Sequence, residues 1–400
     1  MDELASEEQL SEQLNILDNH LSACIGCGIC LEGCATFQTS GWEHQSPRGR
    51  LQLASRFMNG QIEPQALELT TFDDCLGCQS CELLCPTLVK YRKIREIVQN
   101  LRQNLTTSHK SCEMTLSDYR KWVTLAKRMS KRKWHRFFSL LKSFLCMDFK
   151  VKEKVKLQNF DQKFIQQTLT ISCIQEFYYS EVIEEAQKFM ESIGVSLVLS
   201  NSQTCCGAIF ERLIHGGKES ISYPKERLRA EKLQIKRLKS HLKRDNKNAF
   251  YLDKGCSCFL SRATNQYPND LYEYIEQQLE KNHYQLKFNE KKQVYYQPYC
   301  GDNKEENQDV VLRILQKIEG LTVHFLHTPK ACCGGYCGET FLHPENALSI
   351  GESKLRHVEE GSTIIITSSD CRAQFSTFKD DLNLNLLFPI QLFVSATLIK

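Results

Sequence analysis

The chain has 400 residues, 20 of them cysteine, with 41 % hydrophobic and 25 % charged residues and a net charge of +3. That cysteine share lies below the roughly 8–10 % of a short disulfide scaffold, and the near-neutral balance supplies no whole-chain field for nucleic acid. The apolar content is ordinary, and the length suits about two or three domains with ample core.

The first residues, Met1–Asn15, are acidic and lack the basic region and apolar run of a secretory signal. This predicts a reducing, cytoplasmic setting, where clustered cysteines serve as metal ligands or redox groups rather than disulfides. Two runs then carry the same spacing: Cys24, Cys27, Cys30 and Cys34, and Cys75, Cys78, Cys81 and Cys85. Both read CxxCxxCxxxC. Three thiolates two residues apart on a tight loop can grip three corners of a [4Fe–4S] cube, while the fourth, opening a helix, points to the other cube. The expected sets are therefore Cys24, Cys27, Cys30 with Cys85, and Cys75, Cys78, Cys81 with Cys34. Zinc would want two pairs of ligands, whereas each run offers three close cysteines and one apart. Gly26, Gly28 and Gly77 let backbone N–H groups approach the sulfurs.

Between the runs lie 40 residues containing Ser46-Pro47-Arg48-Gly49-Arg50-Leu51. Ser46 suits an N-cap, Pro47 the first helical position and Gly60 the stop. Apolar Leu51, Ala54, Phe57 and Met58 follow at helical spacing. A helical insert of this length predicts an all-helical ferredoxin domain rather than a compact stranded one.

From Ser117 to Lys156 there are 13 Lys/Arg against three acids, interleaved with Trp122, Trp134, Phe137, Phe138, Phe144 and Phe149. This stretch reads as the solvated basic face of an interdomain helical segment, or as a surface for an acidic partner or an anionic membrane.

Cys112 and Cys146 stand alone, and the cysteines from Cys173 to Cys371 form an internal repeat. Cys173 precedes an amphipathic stretch (Val182, Ile183, Ala186, Phe189, Met190), an apolar run at Val195–Leu199, then Cys205-Cys206-Gly207. Cys300 precedes Val311, Leu312, Ile314, Leu315 and Ile318, a run at Leu321–Leu326, then Cys332-Cys333-Gly334-Gly335. In both copies 31 residues separate the lone cysteine from the pair. Each copy then reaches a strand and a closing cysteine, Cys256 or Cys371. Matched spacing in two halves predicts a duplicated α/β domain, strand–helix–strand–helix–strand in each copy. Cysteines at the carboxyl ends of parallel strands converge at one sheet edge. A vicinal pair offers two thiolates able to bridge irons. Gly207 and Gly334 remove bulk and permit positive φ where backbone meets cofactor, and a helix starting after the pair would aim N–H groups at the sulfurs. The tail, Leu386–Ile399, is too short to span a membrane and reads as a buried terminal helix. His215, His324, His327 and His343 read as surface or packing residues. No nucleotide loop appears.

The double CxxCxxCxxxC, the Ser-Pro-Arg-Gly-Arg segment and the two CCG repeats, in this order from about residue 20, resemble the glycolate oxidase iron–sulfur subunit family. The repeats are also similar to the cysteine-rich domains of heterodisulfide reductases, lactate-utilisation proteins and the anaerobic glycerol-3-phosphate dehydrogenase iron–sulfur subunit. The resemblance implies an N-terminal helical domain with two [4Fe–4S] clusters over residues 1–100 and a basic helical linker over 101–165. It implies cysteine-rich repeats over 166–270 and 290–400. A further, non-cubane [4Fe–4S] cluster is implied for the repeats, with candidate ligands Cys173, Cys205, Cys206 and Cys256, and Cys300, Cys332, Cys333 and Cys371. Two departures stand: the closing CxxC is Cys256-Ser257-Cys258 in one copy and a lone Cys371 in the other, and Gln297 replaces a histidine. The implied role is electron transfer from FAD-containing dehydrogenase subunits that oxidise a 2-hydroxyacid to a quinone or other acceptor, at most peripherally bound to the inner face of the cell membrane. The rival reading is disulfide turnover at a cysteine-rich site.

Overall fold

The computed structural model describes residues 2–63, 66, 71–105, 165–172, 174–175, 179–199, 206, 208, 249–264, 268–302, 308–336, 339–342 and 344–400. The basic stretch 117–156 and Cys112, Cys146, Cys173, Cys205, Gly207, His215, Cys337 and His343 lie outside them. The described residues form two compact units. One holds 2–105 with 330–353; the other holds 165–208, 249–329 and 354–400.

The first unit is helical through residue 105 among the described residues. Its helices are α1 (Asp2–Ser22), α2 (Ala35–Ser40), α3 (Pro47–Met58), α4 (Ser80–Leu83) and α5 (Tyr91–Leu105), with 3₁₀ turns at Ile29–Leu31 and Glu43–Gln45. The start of α3 is as the sequence predicts. Ser46 caps it, its hydroxyl accepting from the Gly49 N–H at 2.9 Å, and Pro47 opens the first turn. Leu17 of α1, Leu51 and Ala54 of α3, and Ile94, Ile97, Val98 and Leu101 of α5 bury together around Phe72. Full burial of one such side chain stabilises by about 1.5–3 kcal/mol, so this cluster holds the otherwise short helices in place.

The second unit carries two sheets. In the first, β1 (Ile165–Thr170), β2 (Val195–Leu199), β3 (Ala249–Tyr251) and β4 (Asn269–Asp270) pair in parallel in the order β2-β1-β3-β4. Helix α6 (Glu181–Ser192) links β1 to β2, α7 (Lys254–Thr264) links β3 to β4, and α8 (Leu271–Lys281) follows. In chain order there follow β5 (Gln285–Gln297), α9 (Val310–Lys317), β6 (Glu319–Phe325), then α10 (Glu339–Leu342) and α11 (Pro344–Leu355), of which 339–353 fall in the first unit, and then β7 (Thr363–Ile366), α12 (Ser369–Ser376), β8 (Asn385–Leu387), α13 (Pro389–Ser395) and β9 (Thr397–Ile399); β5 to β9 make the second sheet. Its parallel order is β6-β5-β7-β8, the same pattern of strand positions as in the first sheet. Ile364, Ile365 and Ile366 of β7 are all buried, the continuous apolar run of a parallel strand covered on both faces. Each sheet has a fourth strand beyond the three expected. Two residues in β4 and three in β8 are too few to show a period.

The tail corrects the expected terminal helix. Pro389 at the first position starts a helix of only seven residues, and β-branched Thr397 and Ile399 then return as a strand antiparallel to the start of β5. Among the described residues, no helix is long and apolar enough to cross a membrane.

One core spans both sheets, from Leu169 and Phe189 to Val294, Leu315 and Phe393. At its rim, Arg313 of α9 grips Glu276 of α8 in a fork, with Nε–Oε1 at 2.9 Å and Nη2–Oε2 at 2.5 Å. That hydrogen bond, ahead of an opposing burial effect, holds the Glu276 carboxyl below its ordinary value. A depressed carboxylate contributes stability above its unfolded pKa near 4.5 that is lost as pH falls through the lower folded value. Glu276→Gln is therefore expected to lower denaturant stability by up to about 1 kcal/mol at pH 7. The difference from the parent should vanish in strong acid.

Candidate metal centre

Two hollows in the first unit share Pro47, Cys81 and Tyr91 in their walls. Cys24, Cys27, Cys30 and Cys85 line the first, which encloses ≈ 430 Å³ counting its open mouth. Cys34, Cys75, Cys78 and Cys81 line the second, ≈ 440 Å³ on the same basis. Each hollow brings three cysteines of one run beside the last cysteine of the other, and Cys81 borders both. Cys34 stands at the N-cap of α2, as a cysteine opening a helix should. Cys85 does not open one. It lies in the turn between α4 and α5, because Pro86 and the left-handed Leu88 (φ 57°) delay the next helix to Tyr91. Gly26, Gly28 and Gly77 have φ of 69°, 81° and 69°, which wraps the thiolate loops tightly.

Burial dominates the electrostatics. It pushes the Cys30 thiol up to about 11, against the backbone N–H of Arg48 and with added repulsion from Cys24, Cys34 and Cys27. Burial likewise raises Cys34, and raises Cys81 well above the usual thiol range. At Cys85 burial is outweighed by hydrogen bonds from the Thr87 hydroxyl and the Val89 N–H, and the thiol falls below its usual value. Crowded buried thiols of this kind give up protons only to a cationic core. Among the described residues, no three His, Cys, Asp or Glu side chains converge on a single-ion position. Zinc needs its donors about 2.0–2.3 Å from one point. Four soft sulfurs ringing a hollow fit an iron–sulfur core instead.

The Ser46–Arg50 segment ties the two hollows together. Arg48 extends along the first: its Nη1 donates to the Gly26 carbonyl at 3.4 Å and its Nε pairs with Glu43 at 2.7 Å. Arg50, fully buried, reaches the second. It donates to the carbonyls of Thr71 and Gln45, both at 2.7 Å, to the Gln45 side chain at 2.7 Å and to Thr36 Oγ1. These bonds hold the Cys34 turn against the Cys75 loop. Gly49 sits where α3 touches the preceding turn, and a Cβ there would collide with the Glu43 carbonyl. Gly49→Ala is expected to cost about 1–3 kcal/mol, read as a lower thermal midpoint of the iron-loaded protein.

The other cysteines divide between the units. Cys332, Cys333 and Gly334 lie in the 330–353 segment of the first unit. There the Ser80 hydroxyl donates to the Lys330 carbonyl at 2.5 Å, and Lys330 pairs with Glu32 at 3.5 Å. Gly334 (φ 95°) answers a packing demand: a Cβ would stand 2.9 Å from the Ala347 carbonyl of α11. After the first pair Ala208 is helical; after the second, Tyr336 lies in a 3₁₀ turn and α10 runs from Glu339, while Cys256 and Cys371 occupy the first turns of α7 and α12. In the second unit Cys300 follows β5 and Cys371 follows the adjacent β7, so both leave one sheet edge. The carboxyl ends of β3 and β7 meet. The Lys254 N–H donates to the Thr367 carbonyl at 3.0 Å, and Asp253 accepts from the Ser369 N–H at 3.0 Å and from its hydroxyl. Asp253 also takes the Cys256 N–H at 3.2 Å. Cys206 packs with Tyr251, Phe259 and Leu260, with Cys256 at the edge of that cluster. Gln297 is buried and donates to the Pro298 carbonyl at 2.7 Å. His324 lies tilted against Tyr295 and His327 meets His357 edge-on, with ring centroids 5.8 and 5.4 Å apart.

The 4Fe-4S dicluster domain family matches residues 20–89, and the cysteine-rich domain family matches residues 168–239 and again 294–376. The glycolate oxidase iron–sulfur subunit of Escherichia coli is 24 % identical over 383 residues, 89 % of each chain. The probable glycolate oxidase iron–sulfur subunit of Bacillus subtilis is 39 % identical over 85 residues, 21 % of this chain and 19 % of that one. An uncharacterized iron–sulfur protein of Methanocaldococcus jannaschii is 23 % identical over 362 residues, 88 % of this chain and 68 % of that one. The chain thus carries one 4Fe-4S dicluster match followed by two cysteine-rich domain matches, and along most of its length it is similar to glycolate oxidase iron–sulfur subunits. No solved structure matches it.

Beyond the cysteines, α5 supplies two residues the motif spacing does not disclose. Tyr91 and Arg95, four apart on one helix face, are buried and line the second hollow. Their signal in the sequence is a polar stripe, Tyr91, Arg95 and Gln99, beside the apolar Ile94, Ile97, Val98 and Leu101.

Proposed function

We propose that this chain is the electron-transfer subunit of a flavin-dependent 2-hydroxyacid dehydrogenase of the glycolate oxidase type. It would hold one [4Fe–4S] cube on Cys24, Cys27, Cys30 and Cys85 and a second on Cys34, Cys75, Cys78 and Cys81. The observation that carries this reading is the pair of adjoining cysteine-lined hollows with a common wall at Cys81 and Tyr91. Each cube supplies one-electron transfer, so two of them suit a two-electron donor such as an FAD subunit. The chain's own part is positional. Arg48 and Arg50 anchor both thiolate loops to one helix, which keeps the two sites close and rigid. We further infer a duplicated cysteine-rich domain over 166–270 and 290–400, since both sheets share one strand order. Its candidate ligands are Cys173, Cys205, Cys206 and Cys256, and Cys300, Cys332, Cys333 and Cys371. A quinone or other acceptor would take the electrons.

Electron relay is favoured over disulfide turnover by burial. Cys332 and Cys333 are each 1 % exposed and Cys371 is 3 % exposed, leaving little access for a bulky disulfide. The test is anaerobic purification with its flavoprotein partner, followed by iron and sulfide counts and EPR after adding glycolate. About eight irons in cubes, with signals that appear on glycolate addition, are expected. Zinc in their place, or cubes that stay oxidised with a competent flavoprotein present, would sink the reading.

A further inference from the structure

We propose that Tyr91 and Arg95 hydrogen-bond to the cluster of the second hollow and hold its reduction potential above that of the first, so that electrons run from the Cys24–Cys27–Cys30–Cys85 site to the Cys34–Cys75–Cys78–Cys81 site. The inference rests on the reading that each hollow holds a cube.

The starting point is two buried donors with no protein partner. Tyr91 Oη and Arg95 Nη2 are shielded from solvent and make no hydrogen bond. A buried donor left unpaired costs about 1–3 kcal/mol, so a fold that keeps two on one face of α5 has an acceptor for them. Arg95 lines the second hollow alone and Tyr91 stands in the wall it shares with the first, and cluster sulfurs are the acceptors a four-thiol site would add there. Arg95 is held for this task. Its Nε donates to the Phe72 carbonyl at 3.3 Å, which fixes the guanidinium plane. Its Nη1 passes over Gly77 inside the thiolate loop, 3.1 Å from where a Cβ would stand.

Charge distinguishes the two sites. Arg48, the arginine of the first hollow, is paired with Glu43. In the second hollow Arg92 is paired with Glu96 at 2.8 Å, and Arg50 has committed its donors to Thr71, Gln45 and Thr36. The nearby Asp74 is held by the Gln45 side chain at 2.8 Å. Arg95 has no carboxylate partner among the described residues, so its charge remains for the site. An uncommitted cation and a hydroxyl donor favour the form with one more negative charge and raise the potential. The transfer they direct moves a single electron from the first site to the second and makes or breaks no bond.

The test is an EPR-monitored redox titration of the anaerobic holoprotein, its Tyr91→Phe and Arg95→Met variants, and a Cys27→Ala variant that assigns the first-hollow signal. About eight irons are expected in the parent and in the first two variants. At a fixed solution potential, Arg95→Met should lower the reduced-to-oxidised ratio of the second cube about tenfold, equivalent to about 59 mV for one electron. Tyr91→Phe should lower it less, in the same direction, and Arg95→Met should leave the first cube unmoved. Full iron with both potentials unchanged overturns the inference, as does a shift confined to the first cube. A parent chain far below eight irons instead defeats the two-cube reading on which it rests. Should Arg95→Met fail to load, Tyr91→Phe, which deletes a single oxygen, decides the matter.

Discussion

Cys81→Ala is expected to release about four of about eight irons per chain and to leave the remainder bound. Cys81 is the most enclosed of the eight N-terminal cysteines, buried in α4 and in the wall of both hollows. Its thiol is pushed far above the usual range by burial, with repulsion from Cys78, Cys75 and Cys34 added. Those three neighbours are the other thiols of the second hollow. Without iron, burial keeps Cys81 and Cys34 protonated and the hollow gains nothing; with iron, binding energy becomes folding energy. Removing one ligand therefore withdraws both the second cluster and part of the stability of the helical unit. Iron analysis with EPR, set beside Cys85→Ala, checks this. Cys85→Ala should spare the second signal and lose the first, and a chain that loses all its iron in both variants would contradict separate sites.

Lys254→Met is expected to destabilise the second unit by about 3–5 kcal/mol. The lysine is nearly enclosed, with its side chain 5 % exposed, and its ammonium lies 2.5 Å from Asp270 and 3.3 Å from Asp302. Methionine matches the stem but leaves two enclosed carboxylates without a counter-charge. Burial works to lower the lysine pKa, yet Asp270 and Asp302 outweigh it and hold the group above its ordinary value. A raised basic pKa contributes stability in full below the unfolded value of about 10.4, lost only as pH rises through the higher folded value. The penalty in Lys254→Met should therefore be equal at pH 6 and pH 9, measured by urea unfolding. A penalty below about 1 kcal/mol would mean that water already screens this triad.

Both expectations involve residues that sequence reading treats unequally. Cys81 is visible at once, since its neighbours Cys75 and Cys78 lie within one loop. Lys254 is not, because its partners stand 16 and 48 residues away. The same division runs through the Ser46–Arg50 segment. The cap and the first-turn proline are legible because they act within four residues. That Arg48 serves one hollow and Arg50 the other depends on how α3 packs against the thiolate loops. Cys85 was expected to open a helix as Cys34 does, but Pro86 and Leu88 set a turn instead. The tail was expected as one helix; its β9 pairs with Gln285–Lys287, a contact across more than a hundred residues that no local pattern announces.

By itself, the sequence determined the cluster chemistry, through three-residue thiol spacing, and an α/β cysteine-rich half, through matched runs of apolar period. Only the tertiary structure decided that Arg95 lines the second hollow and that Tyr91 stands in the wall common to both. It also decided that the Cys332–Cys333 loop belongs to the helical unit. The physical reason is range. Spacing within a turn is dictated by bond geometry, whereas the placement of Cys34 beside Cys75, or of α5 over Gly77, is set by helices burying a common apolar core.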